Sequence, residues 1–313
     1  MKKVLDIKNL SISFNSLEGK LYAINNIDFS LFENEIVAIV GESGSGKTTL
    51  MQSILKLHSP EIINYTQGNI FFENKDLLQL KEKEIRKIRG KKISMVFQDS
   101  MSSLNPTITI GDQILESLEN RKKETVFDLL KSVGIQNEKD VYKAYPHELS
   151  GGMRQRVMIA IAIAKNPKII ICDEPTTSLD VTIQDQILNL LKDLNSKKHI
   201  SIILITHDLS IVSKICKKVF VMYAGKIVEE GLSDNILLYP KHPYTQLLIK
   251  AIPSIYKNTK LSPIEGSPPN LLEKIDGCPF LDRCPFAMVI CKKKFPKTVE
   301  FENQKVRCFL YDK

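Results

Sequence analysis

The sequence predicts an α/β fold on a mixed core sheet, with an antiparallel β portion near the N-terminus, an inserted helical portion and a small irregular Cys-rich C-terminal region. Three observations predict it. A continuous apolar run, Ile36–Val40, leads directly into Gly41-Glu42-Ser43-Gly44-Ser45-Gly46-Lys47-Thr48, and residues 49–57 then repeat apolar side chains on one helical face. A second glycine turn, Leu149-Ser150-Gly151-Gly152-Met153-Arg154-Gln155-Arg156, opens an apolar helix roughly a hundred residues later. After Gly231 the texture changes, and prolines and cysteines accumulate.

The elements follow in chain order. Leu10, Ile12 and Phe14 alternate, as do Ile27, Phe29 and Leu31, which is the period of antiparallel strands with one buried face. Ile36–Val40 lacks polar alternates and suits a parallel strand buried on both faces. Leu50, Met51, Ile54 and Leu55 share one side of the helix after the loop. Residues 105–145 are polar and helical in period, and read as an inserted helical subdomain. Ile169-Ile170-Ile171-Cys172 and Ser201-Ile202-Ile203-Leu204-Ile205 are further buried strands, each ending in polar residues. Residues 219–230, with Ala224-Gly225 as the turn, read as a closing hairpin. From 263 to 308 little regular structure is expected, and the chain shows no internal repeat and no low-complexity linker.

The first loop carries the two glycines, the Lys and the Ser/Thr of the nucleotide P-loop, in the strand–loop–helix context that motif requires. Gly41, Gly44 and Gly46 let the backbone wrap a triphosphate, with N–H groups from Ser43 and Ser45 to Thr49 and the helix N-terminus facing it. Lys47 would bridge the β- and γ-phosphates, and Thr48 would hold Mg²⁺ through its hydroxyl. Asp173 and Glu174 close a buried strand, where open parallel sheets place their ligands. Asp173 suits the Mg²⁺ shell; Glu174, pointing to the other side, suits the general base for the attacking water. One triphosphate needs one cradle. A second phosphate-type loop therefore implies two chains sharing the nucleotide, as in a dimerising ATP-driven motor.

On these motifs, in this order, the chain resembles the ATP-binding cassette (ABC) transporter ATPases over residues 1 to about 235, with the signature inside a helical subdomain of about 105–165. The resemblance implies further roles. Gln98 would sense the transmembrane partner and touch the Mg²⁺ water shell. Ser150, Gly151 and Gly152 would clamp the γ-phosphate held by the opposing subunit. Ser178-Leu179-Asp180 would be the D-loop, and His207 would contact the γ-phosphate. An aromatic would stack on adenine, Phe14 being the choice and Tyr22 the runner-up.

The region 236–313 sharpens the resemblance. Cys278, Cys284, Cys291 and Cys308 are spaced C-x5-C-x6-C-x16-C in a Pro-rich stretch without core-forming period, and such a stretch needs a staple. Disulfides do not suit a cytoplasmic protein. Structural zinc usually shows a C-x2–4-C pair, absent here, whereas wide spacing suits an iron–sulfur cluster; zinc and free thiols remain alternatives. Cys172 and Cys216 read as small core residues. Gly277-Cys278-Pro279-Phe280, Arg283-Cys284-Pro285-Phe286-Ala287 and Cys291, led by Lys241-His242-Pro243-Tyr244-Thr245, resemble the C-terminal motif of oligopeptide/dipeptide-type ATPases. That resemblance implies a [4Fe–4S] cluster on the four cysteines. Met95-Val96-Phe97-Gln98-Asp99, Met153 and Thr176-Thr177 resemble the D-type subunit of that family, although Thr48 stands where Ser is common. The implied partners are an F-type ATPase subunit or a second copy, two transmembrane permease subunits and, indirectly, an extracytoplasmic peptide-binding protein.

Composition excludes other classes. The longest apolar run, residues 157–164, falls far short of the ~20 residues needed to span a bilayer. Met1-Lys2-Lys3 leads into Val4-Leu5-Asp6 without a signal-peptide core. The expected place is the cytoplasmic face of the membrane, reached through permease subunits. The net charge of +8 invites a nucleic-acid partner, but from residue 236 onward thirteen Lys/Arg face seven Asp/Glu, so the excess sits in the tail and reads as a solvated basic surface. No nucleic-acid partner is expected. A non-transport ABC ATPase usually carries two cassettes or a coiled-coil insert, neither of which is present. Nickel remains an alternative cargo to peptides, disfavoured by the full cysteine set.

Overall fold

The computed structural model describes residues 2–177, 179–251 and 264–312, so Ser178 of the expected D-loop lies outside the described residues. The chain divides into two compact units: residues 1–32, 36–79 and 205–313 in the first, and 33–35 and 80–204 in the second.

The first unit opens on β1 (Lys3–Ser16) and β2 (Gly19–Phe32), which pair antiparallel with Leu10 opposite Ile27 and Ile12 opposite Ile24. All four of these side chains are buried, which is why the alternation in sequence fixes the register. Next, β3 (Ile36–Val40) is buried along its whole length and delivers the chain to the glycine loop and the helix Lys47–Ile54. Antiparallel β4 (Ile63–Phe72) and the short β5 (Lys75–Asp76) complete a four-stranded sheet in the order β2-β1-β4-β5.

The second unit holds the parallel pair β6 (Ile93–Val96) and β7 (Ile169–Asp173), joined in sequence by the expected helical insertion. That insertion contains the helices Ile110–Ser117, Lys123–Ser132 and Glu138–Lys143, followed by the long helix Gly151–Ile163. Their buried residues, among them Ile114, Val126, Leu130, Val141 and Ile159, form the core of this insertion. The helix Val181–Lys198 follows β7, and β8 (Ser201–Thr206) carries the chain back into the first unit.

There β9 (Lys218–Tyr223) pairs parallel with β3, Ala38 facing Val219, and turns antiparallel into β10 (Lys226–Leu232). The turn residues Ala224 (φ 44°) and Gly225 (φ 76°) both lie in the left-handed region, the requirement of a two-residue type I′ hairpin. The stretch expected to be irregular contributes more than the sequence suggests. A short helix, Val289–Lys293, precedes β11 (Val299–Phe301) and β12 (Gln304–Val306), and β12 pairs antiparallel with β10. Strands of three residues are too short to display a period; burial of Val306 and Gln304 anchors β12 instead. The Cys-rich region thus packs into the same compact unit as the glycine loop.

Candidate functional site

In the first unit the glycine loop is held open by close backbone packing. A Cβ at Gly41 would stand 2.1 Å from the Met222 carbonyl oxygen. One at Gly46, at φ 98°, would stand 2.8 Å from the Ala23 carbonyl oxygen. Neither position admits a side chain. Ser43 and Gly44 form the exposed tip, while Ser45 and Lys47 are buried. The Lys47 ammonium donates to the carbonyls of Gly41 and Glu42, both at 2.8 Å, and to Ser45 Oγ at 3.4 Å. The helix Lys47–Ile54, which includes Thr48 and Thr49, starts at Gly46 with no side-chain cap and no acidic residue in its first turn. Its first amides and the dipole therefore favour an anion. Elsewhere in this unit Phe14 stands half-buried with its ring edge-on to His58, centroids 4.9 Å apart, and Tyr22 lies under the Lys20 ammonium. His207 is exposed immediately after β8, and Asp208 beside it caps the helix Leu209–Ile215.

In the second unit Asp173 is buried at the end of β7, and Glu174 follows at φ 46°. The Glu174 carboxylate is oriented by two donors on one oxygen: Gln98 Nε2 and Thr177 Oγ1 each donate to Oε2 at 2.9 Å. Sequence reasoning named Gln98 and Glu174 separately; the structure brings them into direct contact. Asp180 caps the helix Val181–Lys198 by accepting from the Ile183 N–H at 2.9 Å. Ser150 caps the helix Gly151–Ile163 by accepting from the Met153 N–H. Ser150 and Gly152 line an open cleft of about 300 Å³ with Met153, Arg156 and Gln186.

The four tail cysteines converge. Cys278, Cys284, Cys291 and Cys308 line one small apolar chamber of about 10 Å³ with His242 and Phe309. The Cys278 N–H donates to the Cys291 carbonyl at 2.8 Å, and the space at Gly277 is filled by that same carbonyl. Burial pushes the Cys278 thiol up to about 12 and the Cys308 thiol to about 11, the neighbouring cysteines adding to both. His242 is fully buried, its Nδ1 accepting from the Tyr244 N–H at 3.1 Å. Among the described residues no three His, Cys, Asp or Glu side chains stand close enough to share one metal ion. Cys172, in buried β7, and Cys216 are core residues as expected.

Two contacts escaped sequence reasoning. Glu42, inside the loop, forms an ion pair with Arg283, and its N–H donates to the Tyr244 hydroxyl. The partners are separated by 241 and 202 residues, beyond the reach of any spacing rule; only the place of Arg283 beside Cys284 hinted at a role.

Comparison with known proteins gives the following. The ABC transporter family model matches residues 24–177, and that of the oligopeptide/dipeptide transporter C-terminal region matches residues 228–291. The dipeptide transport ATP-binding protein DppD of Bacillus subtilis (strain 168) is 47% identical over 321 residues, covering 100% of this chain and 96% of that protein. The oligopeptide transport ATP-binding protein OppD of Escherichia coli (strain K12) is 42% identical over 315 residues, covering 98% and 93%. A solved dimer of the ATP-binding cassette MJ0796, bound to ADP and Pi, matches with TM-score 0.65 at 30% identity, over 73% of this chain and 98% of that one.

Proposed function

Because this chain belongs to the ABC transporter family, in its oligopeptide/dipeptide group, we propose that it is the ATP-hydrolysing motor of an importer for di- and oligopeptides. The observation that carries this reading is the presence of both family regions on one chain, the ABC region over 24–177 and the oligopeptide/dipeptide C-terminal region over 228–291. ATP with Mg²⁺ is the fuel, and the subunit works at the cytoplasmic face on transmembrane permease subunits served by a substrate-binding protein. The ATPase partner that fits the D-type motifs is an F-type subunit, with a second copy as the alternative.

The residues divide the work as follows. The amides of Ser43 to Thr49 and the helix N-terminus hold the triphosphate. Lys47 exchanges the carbonyls of Gly41 and Glu42 for phosphate oxygens. Thr48, Asp173 and Gln98 provide the Mg²⁺ shell, and Phe14 takes the adenine. Glu174 takes the proton of the attacking water, with Gln98 and Thr177 fixing the carboxylate. His207 and Asp180 complete the γ-phosphate environment. Ser150, Gly151 and Gly152 meet the γ-phosphate bound by the opposing cassette; that two such cassettes pair is supported by the solved dimer of the MJ0796 cassette. ATP drives closure by binding the closed pair better than the open one, the condition for any population shift.

For the tail we propose a [4Fe–4S] cluster on Cys278, Cys284, Cys291 and Cys308; the support is that these four thiols line one apolar chamber. A cluster would draw its ligands from all four of these thiols. It would supply a rigid four-point cross-link.

The test is Glu174→Gln in the assembled pair with ATP. Hydrolysis should fall by about 10²- to 10⁴-fold, and closed dimers should persist on size exclusion. Ready dissociation of that variant in ATP with its partner present would contradict the reading.

A further inference from the structure

The glycine loop is tied to the Cys-rich region through one residue, Glu42. Its carboxylate receives Arg283 Nη1 at 2.7 Å and Nη2 at 3.0 Å, a two-pronged fork. Its N–H donates to the Tyr244 hydroxyl at 2.8 Å. The remaining guanidinium donors go to the Tyr223 hydroxyl at 3.1 Å and the carbonyls of Ile264 and Glu265 at 3.1 and 2.9 Å. All five N–H donors of Arg283 are thereby satisfied, with the side chain only 5% exposed. Behind the fork, Tyr223, Tyr244 and Phe280 form a buried ring cluster with centroids 4.6 to 5.3 Å apart. Phe280 and Arg283 lie within and beside the pair Cys278 and Cys284.

The braced residue is also a working one. Its carbonyl, with that of Gly41, carries the Lys47 ammonium. The next two residues, Ser43 and Gly44, form the exposed tip of the loop. A loop pre-set in its bound shape loses less freedom when ligand arrives, and that saving appears in affinity.

We propose that Arg283 and Tyr244 are positioning residues for the phosphate loop, so that the Cys-rich region sets the affinity of this subunit for ATP. This rests on the reading of the loop as the ATP site. It makes the tail a control element: any change that shifts Cys278 or Cys284 reaches Glu42 through Arg283 and the ring cluster.

The test uses the full-length chain, a fluorescent ATP analogue for Kd and steady-state hydrolysis for KM and kcat. Tyr244→Phe removes one hydroxyl and leaves the rings packed; Kd and KM should rise about threefold to tenfold, the worth of one hydrogen bond, with kcat within about twofold. Arg283→Lys keeps the charge but loses the fork and should weaken binding by about tenfold. Arg307→Lys, which alters a pair with Asp28 in the same unit, should bind as wild type. If Tyr244→Phe and Arg283→Lys lower Tm yet bind the analogue like wild type, the contact is structural only and the proposal fails. If wild type itself does not bind the analogue, the nucleotide reading fails first and takes the proposal with it.

Discussion

Glu174 sits at φ 46°, in the left-handed region that costs a non-glycine residue on the order of 1–3 kcal/mol. Its surroundings hold it there: the Thr177 N–H donates to its carbonyl, and Gln98 and Thr177 donate to Oε2. The carboxylate was legible in the sequence because an Asp-Glu pair ends an apolar run. The strain and the second donor, Thr177, were not, since no residue preference announces a glutamate in that conformation. The cysteines show the same division. Their spacing predicted that they act together, and they do share one chamber, but spacing could not tell what they hold. Protein purified without oxygen should contain iron and acid-labile sulfide in roughly equal amounts, as a [4Fe–4S] stoichiometry requires, and Cys284→Ser should lose both. Protein with zinc or no metal would remove the cluster from the account.

At the scale of elements, the signature helix Gly151–Ile163 is positioned by the lack of a side chain at Gly152. A Cβ there would lie 2.6 Å from Ile183 Cγ2 on the helix Val181–Lys198. That methyl is a β-branch with little rotamer freedom, so it cannot swing clear. Gly152→Ala should destabilise the protein by about 1–3 kcal/mol. Adding Ile183→Ala should recover part of that loss, which thermal melts of the single and double variants would register as non-additivity. Equal and additive losses would mean the helices do not meet there. The long elements were legible: the strand buried on both faces, the loop and its helix, the closing hairpin with its Ala224-Gly225 turn. The strands of residues 299–306 were not, because three residues carry no period and pairing with Lys226–Leu232 decides their shape.

Over the whole molecule, the excess positive charge of the tail looked like a surface property and is partly an internal one. Arg283 pairs with Glu42 and Arg307 with Asp28, so two cations of the last quarter tie it to the N-terminal part of the same unit. Contacts across more than 240 residues leave no mark in local sequence, which is why the packing of the Cys-rich region into the unit of the glycine loop was not legible there. The family region 228–291 spans most of that tail and includes Tyr244 and Arg283, the residues that contact Glu42 of the glycine loop. ATP hydrolysis by this subunit drives peptide entry. The most direct test is uptake of labelled di- and oligopeptides, with nickel in parallel, by cells carrying the wild-type chain or Glu174→Gln. Peptide uptake should be lost in the variant while nickel entry is unchanged; intact peptide uptake with a fall in nickel would rule out a peptide importer.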